Sequence, residues 1–128
     1  MHKEQYDSLA ESTFHRLPET VACARSWATQ IYLAAGGQHA DVAELLVSEV
    51  VTNAVMHGAG DTYRVVVTRD LAFEVWDASP TLPKPRRTDD DSIGGRGLYL
   101  LAECAPGYTV LVDEDLGGKA VRFKPNGW

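Results

Sequence analysis

Apolar positions recur at helical spacing over the first half of the chain. After Pro18, which suits the first turn of a helix, they lie three or four residues apart, at Val21, Ala24, Ala28, Ile31 and Ala35. The pair Gly36-Gly37 is expected to end this helix. A second helix is predicted from His39 or Asp41 to His57, with Gly58 as its C-terminal cap.

The remaining segments favour strands and turns. Strands are predicted over residues 12–17, 62–69, 71–77, 108–112 and 119–124, with a tight turn at Asp70 and a third helix over 97–105. Alternation in the third of these strands places Leu71, Phe73, Val75 and Asp77 on one face. The order β-α-α-β-β-loop-α-β-β predicts an α+β fold: a two-layer α/β sandwich with a largely antiparallel mixed sheet and helices on one face.

Composition narrows the class of protein. The 128 residues suit one domain, so we expect a flexible N-terminus over 1–10 and a single domain over 11–128. A net charge of −6 argues against a nucleic-acid partner, because phosphate backbones require a basic surface. Cys23 and Cys104 lack CxxC spacing and are expected to be reduced thiols. Without a signal sequence or an apolar run of ~20 residues, a cytoplasmic protein without membrane association is expected.

The second helix carries three candidate functional side chains. Glu49, Asn53 and His57 lie four residues apart, so a helix would align a carboxylate, an amide and an imidazole on one face. A buried amide costs free energy unless it is paired, which suggests a ligand for Asn53. His57 has two alternatives of equal weight, a contact with a ligand or a favourable position at the helix C-terminus. Asp77 ends an apolar strand face and therefore needs a donor.

These segments, taken in order, resemble the motifs of the GHKL (Bergerat-fold) ATPase superfamily. The run Glu49-xxx-Asn53-Ala54-xx-His57 resembles its N box, and Asp77-Ala-Ser79-Pro80 resembles a degenerate first glycine box. The run Gly94-Gly95-Arg96-Gly97-Leu98 resembles the second. Over residues 11–124 the chain is most similar to the small bacterial anti-sigma-factor serine/threonine kinases.

The resemblance implies ATP and Mg²⁺ as ligands. Asn53 would ligate Mg²⁺, Glu49 would act as general base on a Ser or Thr hydroxyl, and Asp77 would accept a hydrogen bond from the adenine amino group. The other implied ATP-binding residues are Ala54, His57, Ser79, Gly94, Gly95, Arg96, Gly97 and Leu98. Glycines followed by a helix let backbone N–H groups close on phosphate, and Arg96 adds a cation.

Residues 78–93, which run from the first glycine box to the start of the second, are expected to form a lid over the nucleotide.

One departure from the family lies near the end of the sequence. Relatives commonly have Thr after the last glycine turn, where it helps to hold adenine through water. Here Gly118 is followed by Lys119 and Ala120, so that bond is expected to be absent or replaced.

The implied partners are a sigma factor, a STAS-type anti-sigma antagonist protein, or both. The resembled kinases are often dimers, so a homodimer is a further expectation. An alternative function is a non-catalytic, nucleotide-gated protein-binding module, in which ATP orders the lid and changes a partner surface.

Overall fold

Five strands and two helices form the regular structure of the described part of the chain. The computed structural model describes residues 7–78, 105, 107–113 and 118–126. The elements in chain order are β1 (Ser8–His15), α1 (Thr20–Ala34), α2 (Ala40–His57), β2 (Thr62–Thr68), β3 (Phe73–Asp77), β4 (Thr109–Asp113) and β5 (Gly118–Phe123). The helix predicted over 97–105 lies, except for its last residue, outside the described residues. Neither described helix combines the length and the apolar content that crossing a membrane requires.

The strands form one sheet in the order β1-β2-β3-β5-β4. All four described strand pairings are antiparallel, as the sequence of adjacent hairpins predicts. β1 lies beside β2 although both helices separate them in the chain. β1 begins four residues earlier, and ends two residues earlier, than the strand predicted over 12–17, because its pairing with β2 runs from Ser8, opposite Thr68, to His15, opposite Thr62.

Both helices pack on one face of the sheet and enclose the core. On β3, Phe73 and Val75 face the helices, as predicted. Phe73 lies between Tyr32 of α1 and Phe123 of β5, with ring centroids 5.4 Å apart in each pair. The predicted two-layer α/β sandwich with helices on one face is therefore confirmed.

The opposite face of the sheet carries charged side chains. Arg64 of β2 bonds Glu11 of β1 at 2.7 Å and lies over the ring of Trp76, 5.2 Å from its centroid. Arg122 of β5 bonds Asp70 at 2.6 Å. This face is only partly open to water, because Val66 and Glu74, which lie opposite each other on β2 and β3, are both buried.

The structure adds backbone detail to two local predictions. Asp70 lies in the predicted tight turn between β2 and β3, and Leu71, which follows it, has left-handed backbone with φ 67°. The side chain of Leu71 packs against the core, and its N–H donates to the carbonyl oxygen of Thr68 at 2.9 Å. Gly58 does cap α2, but in an extended conformation, with φ −77° and ψ −173°.

Candidate functional site

The three aligned residues of α2 differ in how far they are shielded from water. Glu49, in the middle of the helix, is buried among core residues, with 9% of its surface exposed. Asn53 is half-buried, and His57, the last residue of the helix, is exposed. The row therefore runs from the interior to the surface, with the carboxylate at its inner end.

The amide of Asn53 carries a buried oxygen without a hydrogen-bond donor. Among the described residues, no N–H or O–H bonds its Oδ1, although that atom has almost no contact with water. Leaving such a carbonyl unsatisfied costs about 1–3 kcal/mol. A neutral carbonyl oxygen is also a ligand that Mg²⁺ accepts. The chemistry of this atom therefore fits the predicted metal ligand.

Asp77 and Lys119 form a buried ion pair at the end of the sheet. They are register partners on β3 and β5, so both side chains continue the helix-facing row of Phe73 and Val75. The Nζ of Lys119 donates to Oδ2 of Asp77 at 2.8 Å, and the two side chains are only 11% and 6% exposed. The donor that Asp77 needs is thus supplied within the protein by Lys119.

Glycines allow the end of α2 to approach the end of β3. A Cβ on Gly58 would lie 2.3 Å from the backbone oxygen of Ala54 and 3.2 Å from the side-chain carbon Cγ of Asp77. A Cβ on Gly118 would lie 2.9 Å from the carbonyl oxygen of Asp77. Only glycine fits these contacts without displacement. They bring Asp77 next to the helix that carries Asn53.

Arg16 holds the loop after α2 in place. Its Nε donates to the carbonyl oxygen of Gly60 at 2.7 Å, and its Nη1 donates to that of Val55 at 2.7 Å. The carbonyl of Val55 belongs to the last turn of α2, where such groups lack helical partners and a cation is favourable. Nothing in the local pattern around Arg16 indicates this role, because its partners lie 39 and 44 residues away.

The structure brings only part of the predicted site together. Glu49, Asn53, Ala54 and His57 share α2, and Asp77 lies beside the end of that helix. Ala54 is buried, and its carbonyl oxygen accepts the N–H of Gly58 at 3.0 Å. The other predicted ligand-binding residues lie outside the described residues: Ser79, Gly94, Gly95, Arg96, Gly97 and Leu98. The predicted lid, apart from Ala78, and Cys104 also lie outside them, whereas Cys23 is exposed and free.

Comparison with known proteins agrees with this geometry. Residues 14–124 match the family described as the histidine kinase-like ATPase domain. Comparison with curated proteins gives no significant match. The family match covers both helices, the site, β2 to β5 and the last two residues of β1, and it supports ATP binding. The chain therefore belongs to the histidine kinase-like ATPase domain family, of the GHKL type.

Proposed function

We propose that this protein is an ATP-binding regulator of the anti-sigma-factor type. It would phosphorylate a Ser or Thr of a small antagonist protein and sequester a sigma factor. One observation carries the proposal: on α2, the carboxylate of Glu49 is buried, and one turn later the side-chain oxygen of Asn53 is buried as well. A metal ligand and a residue that accepts the proton of the nucleophile are two of the parts that recur in protein sites for phosphoryl transfer.

Asn53 would hold Mg²⁺ through Oδ1. No group of three His, Cys, Asp or Glu residues within the described part of the chain could hold a metal ion. A single amide ligand is sufficient for Mg²⁺, because this ion retains water and takes its other ligands from the phosphates. The ion would supply positive charge that neutralises the transferring phosphoryl group.

Glu49 would act on the incoming hydroxyl. As the oxygen of the acceptor Ser or Thr forms its bond to phosphorus, the hydroxyl proton would pass to the carboxylate of Glu49. Burial of Glu49 limits the access of bulk water to this position.

Asp77 would recognise the base at the far end of the nucleotide. Its carboxylate would accept a hydrogen bond from the adenine amino group, and its position beside Gly58 would join the base site to α2. The roles of Gly94, Gly95, Arg96 and Gly97 around the phosphates rest on the sequence resemblance alone.

The test is transfer of labelled γ-phosphate from ATP to purified STAS-type proteins. Glu49→Gln removes the proton acceptor with little change in shape, so transfer should fall at least 100-fold while Mg-ATP affinity stays within about twofold. Glu44→Gln is the matched control, because Glu44 lies on the same helix but is exposed. Equal transfer by wild type and Glu49→Gln would show that Glu49 is not the base.

The non-catalytic module is a second candidate, and the Lys119–Asp77 pair favours it. The carboxylate expected to read the base already has a charged partner at 2.8 Å, and that partner, Lys119, follows the last glycine turn, where family members commonly have Thr. For this candidate, ATP would change the affinity for a sigma factor while no labelled phosphate reached any protein. Stoichiometric transfer to a partner would exclude it.

A further inference from the structure

Lys119 is the only lysine that the structure buries among its described residues. It continues the row of Phe123 and Val121 on β5, where the neighbouring strand contributes Phe73 and Val75. Burying an ammonium group is costly unless it is paired and its donors are used. A lysine here therefore requires a physical reason beyond filling space.

The ion pair with Asp77 uses one of the three N–H donors of Lys119. Within the described residues, Asp77 is the only acceptor that bonds Nζ. An ammonium group has three donors and no acceptor, so two further N–H groups need partners. The side chain is 11% exposed, which leaves little surface for water to supply them.

We propose that Lys119 reads the purine base together with Asp77. Asp77 accepts from the exocyclic amino group of adenine, and Lys119 donates to N1, the ring nitrogen next to it. The two protein groups lie side by side, acceptor beside donor, and the two base atoms present the complementary order. This inference rests on the proposed function, because it takes Asp77 as the base-recognition residue.

Two other roles for Lys119 make different demands on the ligand. If the ion pair only stabilises the end of the sheet, the nucleotide affinity does not depend on the atom at position 1 of the base. If Lys119 competes with the base for Asp77, its removal strengthens ATP binding. If Lys119 instead donates to N1, replacing N1 weakens binding, and it does so only when Lys119 is present.

The experiment is calorimetric titration with Mg-ATP and with Mg-1-deaza-ATP, in which a C–H group replaces N1. Wild type should bind the deaza analogue about tenfold to a hundredfold more weakly, the range for one hydrogen bond from a charged donor. In Lys119→Met the two nucleotides should bind equally. Lys119→Arg keeps a charged donor and should retain at least part of the preference for ATP.

A wild-type affinity ratio near one would overturn the inference, and this readout needs no variant to fold. Tighter ATP binding by Lys119→Met would overturn it in favour of competition for Asp77. Failure of wild type to bind either nucleotide would instead overturn the proposed function itself. Circular dichroism melting of each variant separates a lost contact from a lost fold.

Discussion

Replacing Asn53 with leucine should stabilise the free protein and at the same time abolish its metal-dependent nucleotide binding. The two effects have one cause, the buried Oδ1 that no described residue bonds. A buried polar group that is left unbonded so that it can bind a ligand lowers the free energy of unfolding when the ligand is absent. Leucine is of similar size, has no oxygen to desolvate and cannot bind Mg²⁺.

The magnitude follows from three contributions. Removing a desolvated, unsatisfied carbonyl gains about 1–3 kcal/mol. Leucine is the better helix former by about 0.4 kcal/mol in the interior of α2. The different shape of the side chain costs up to about 1.5 kcal/mol. Together these contributions raise the free energy of unfolding by between about 0 and 3 kcal/mol. The middle of that range, about 1–2 kcal/mol, corresponds to a rise in Tm of about 4–8 °C for a chain of this size.

Urea denaturation without nucleotide measures the stability, and calorimetry with Mg-ATP measures binding. Thr29→Val is the matched control, because Oγ1 of Thr29 is also buried and unbonded among the described residues, but on α1. This variant should be stabilised by about 1 kcal/mol and should bind Mg-ATP as wild type does.

A loss of stability in Asn53→Leu larger than about 1 kcal/mol would show that Oδ1 does accept a hydrogen bond in the free protein, since that is the cost of breaking one. Unchanged Mg-ATP affinity in the same variant would refute the ligand role of Asn53 separately.

Two further predictions test the approach of α2 to β3 and the charges on the outer face of the sheet. Gly58→Ala should cost about 1–3 kcal/mol, because its Cβ would lie 2.3 Å from the backbone oxygen of Ala54. It should also weaken Mg-ATP binding, because the same Cβ would lie 3.2 Å from Cγ of Asp77 on β3. Gly36→Ala, which has open space but φ +102°, should cost about 1–2 kcal/mol by urea denaturation and leave binding unchanged. Burial raises the pKa of Asp70, but the hydrogen bond from Thr68 and the charge of Arg122 outweigh it and hold the pKa below its usual 3.8. The stabilisation by Asp70 is thus present above pH 3.8 and lost as pH falls through the lowered pKa, so Asp70→Asn should approach wild type in urea denaturation as the pH is lowered.

Each of these two predictions has an outcome that contradicts it. Equal Mg-ATP affinities for Gly58→Ala and Gly36→Ala would show that the close contact does not shape the site. A stability difference between Asp70→Asn and wild type that stays constant, or grows, on acidification would show that the carboxylate is not stabilised by folding.

Much of the fold is encoded in local patterns, so the sequence predicts it well. Helical spacing determines α1 and α2 to within about two residues, because a helix repeats its contacts every three to four positions. Alternation on β3 correctly placed Asp77 at the end of a core-facing row. The spacing of Glu49, Asn53 and His57 predicts one shared helix face without any tertiary contact, and all three lie on α2. The roles of these residues in binding and catalysis remain predictions.

Only the tertiary structure decided what these residues meet. The pairing of Lys119 with Asp77 depends on the register of β3 against β5, across 42 residues of chain. The hydrogen bonds of Arg16 to the end of α2, and the close approach of Asp77 to Gly58, are contacts of the same kind. Local periodicity reports which side of an element is buried, because burial repeats along that element. It carries no information about which distant side chain lies opposite a given residue, because the alignment of the packed elements determines that.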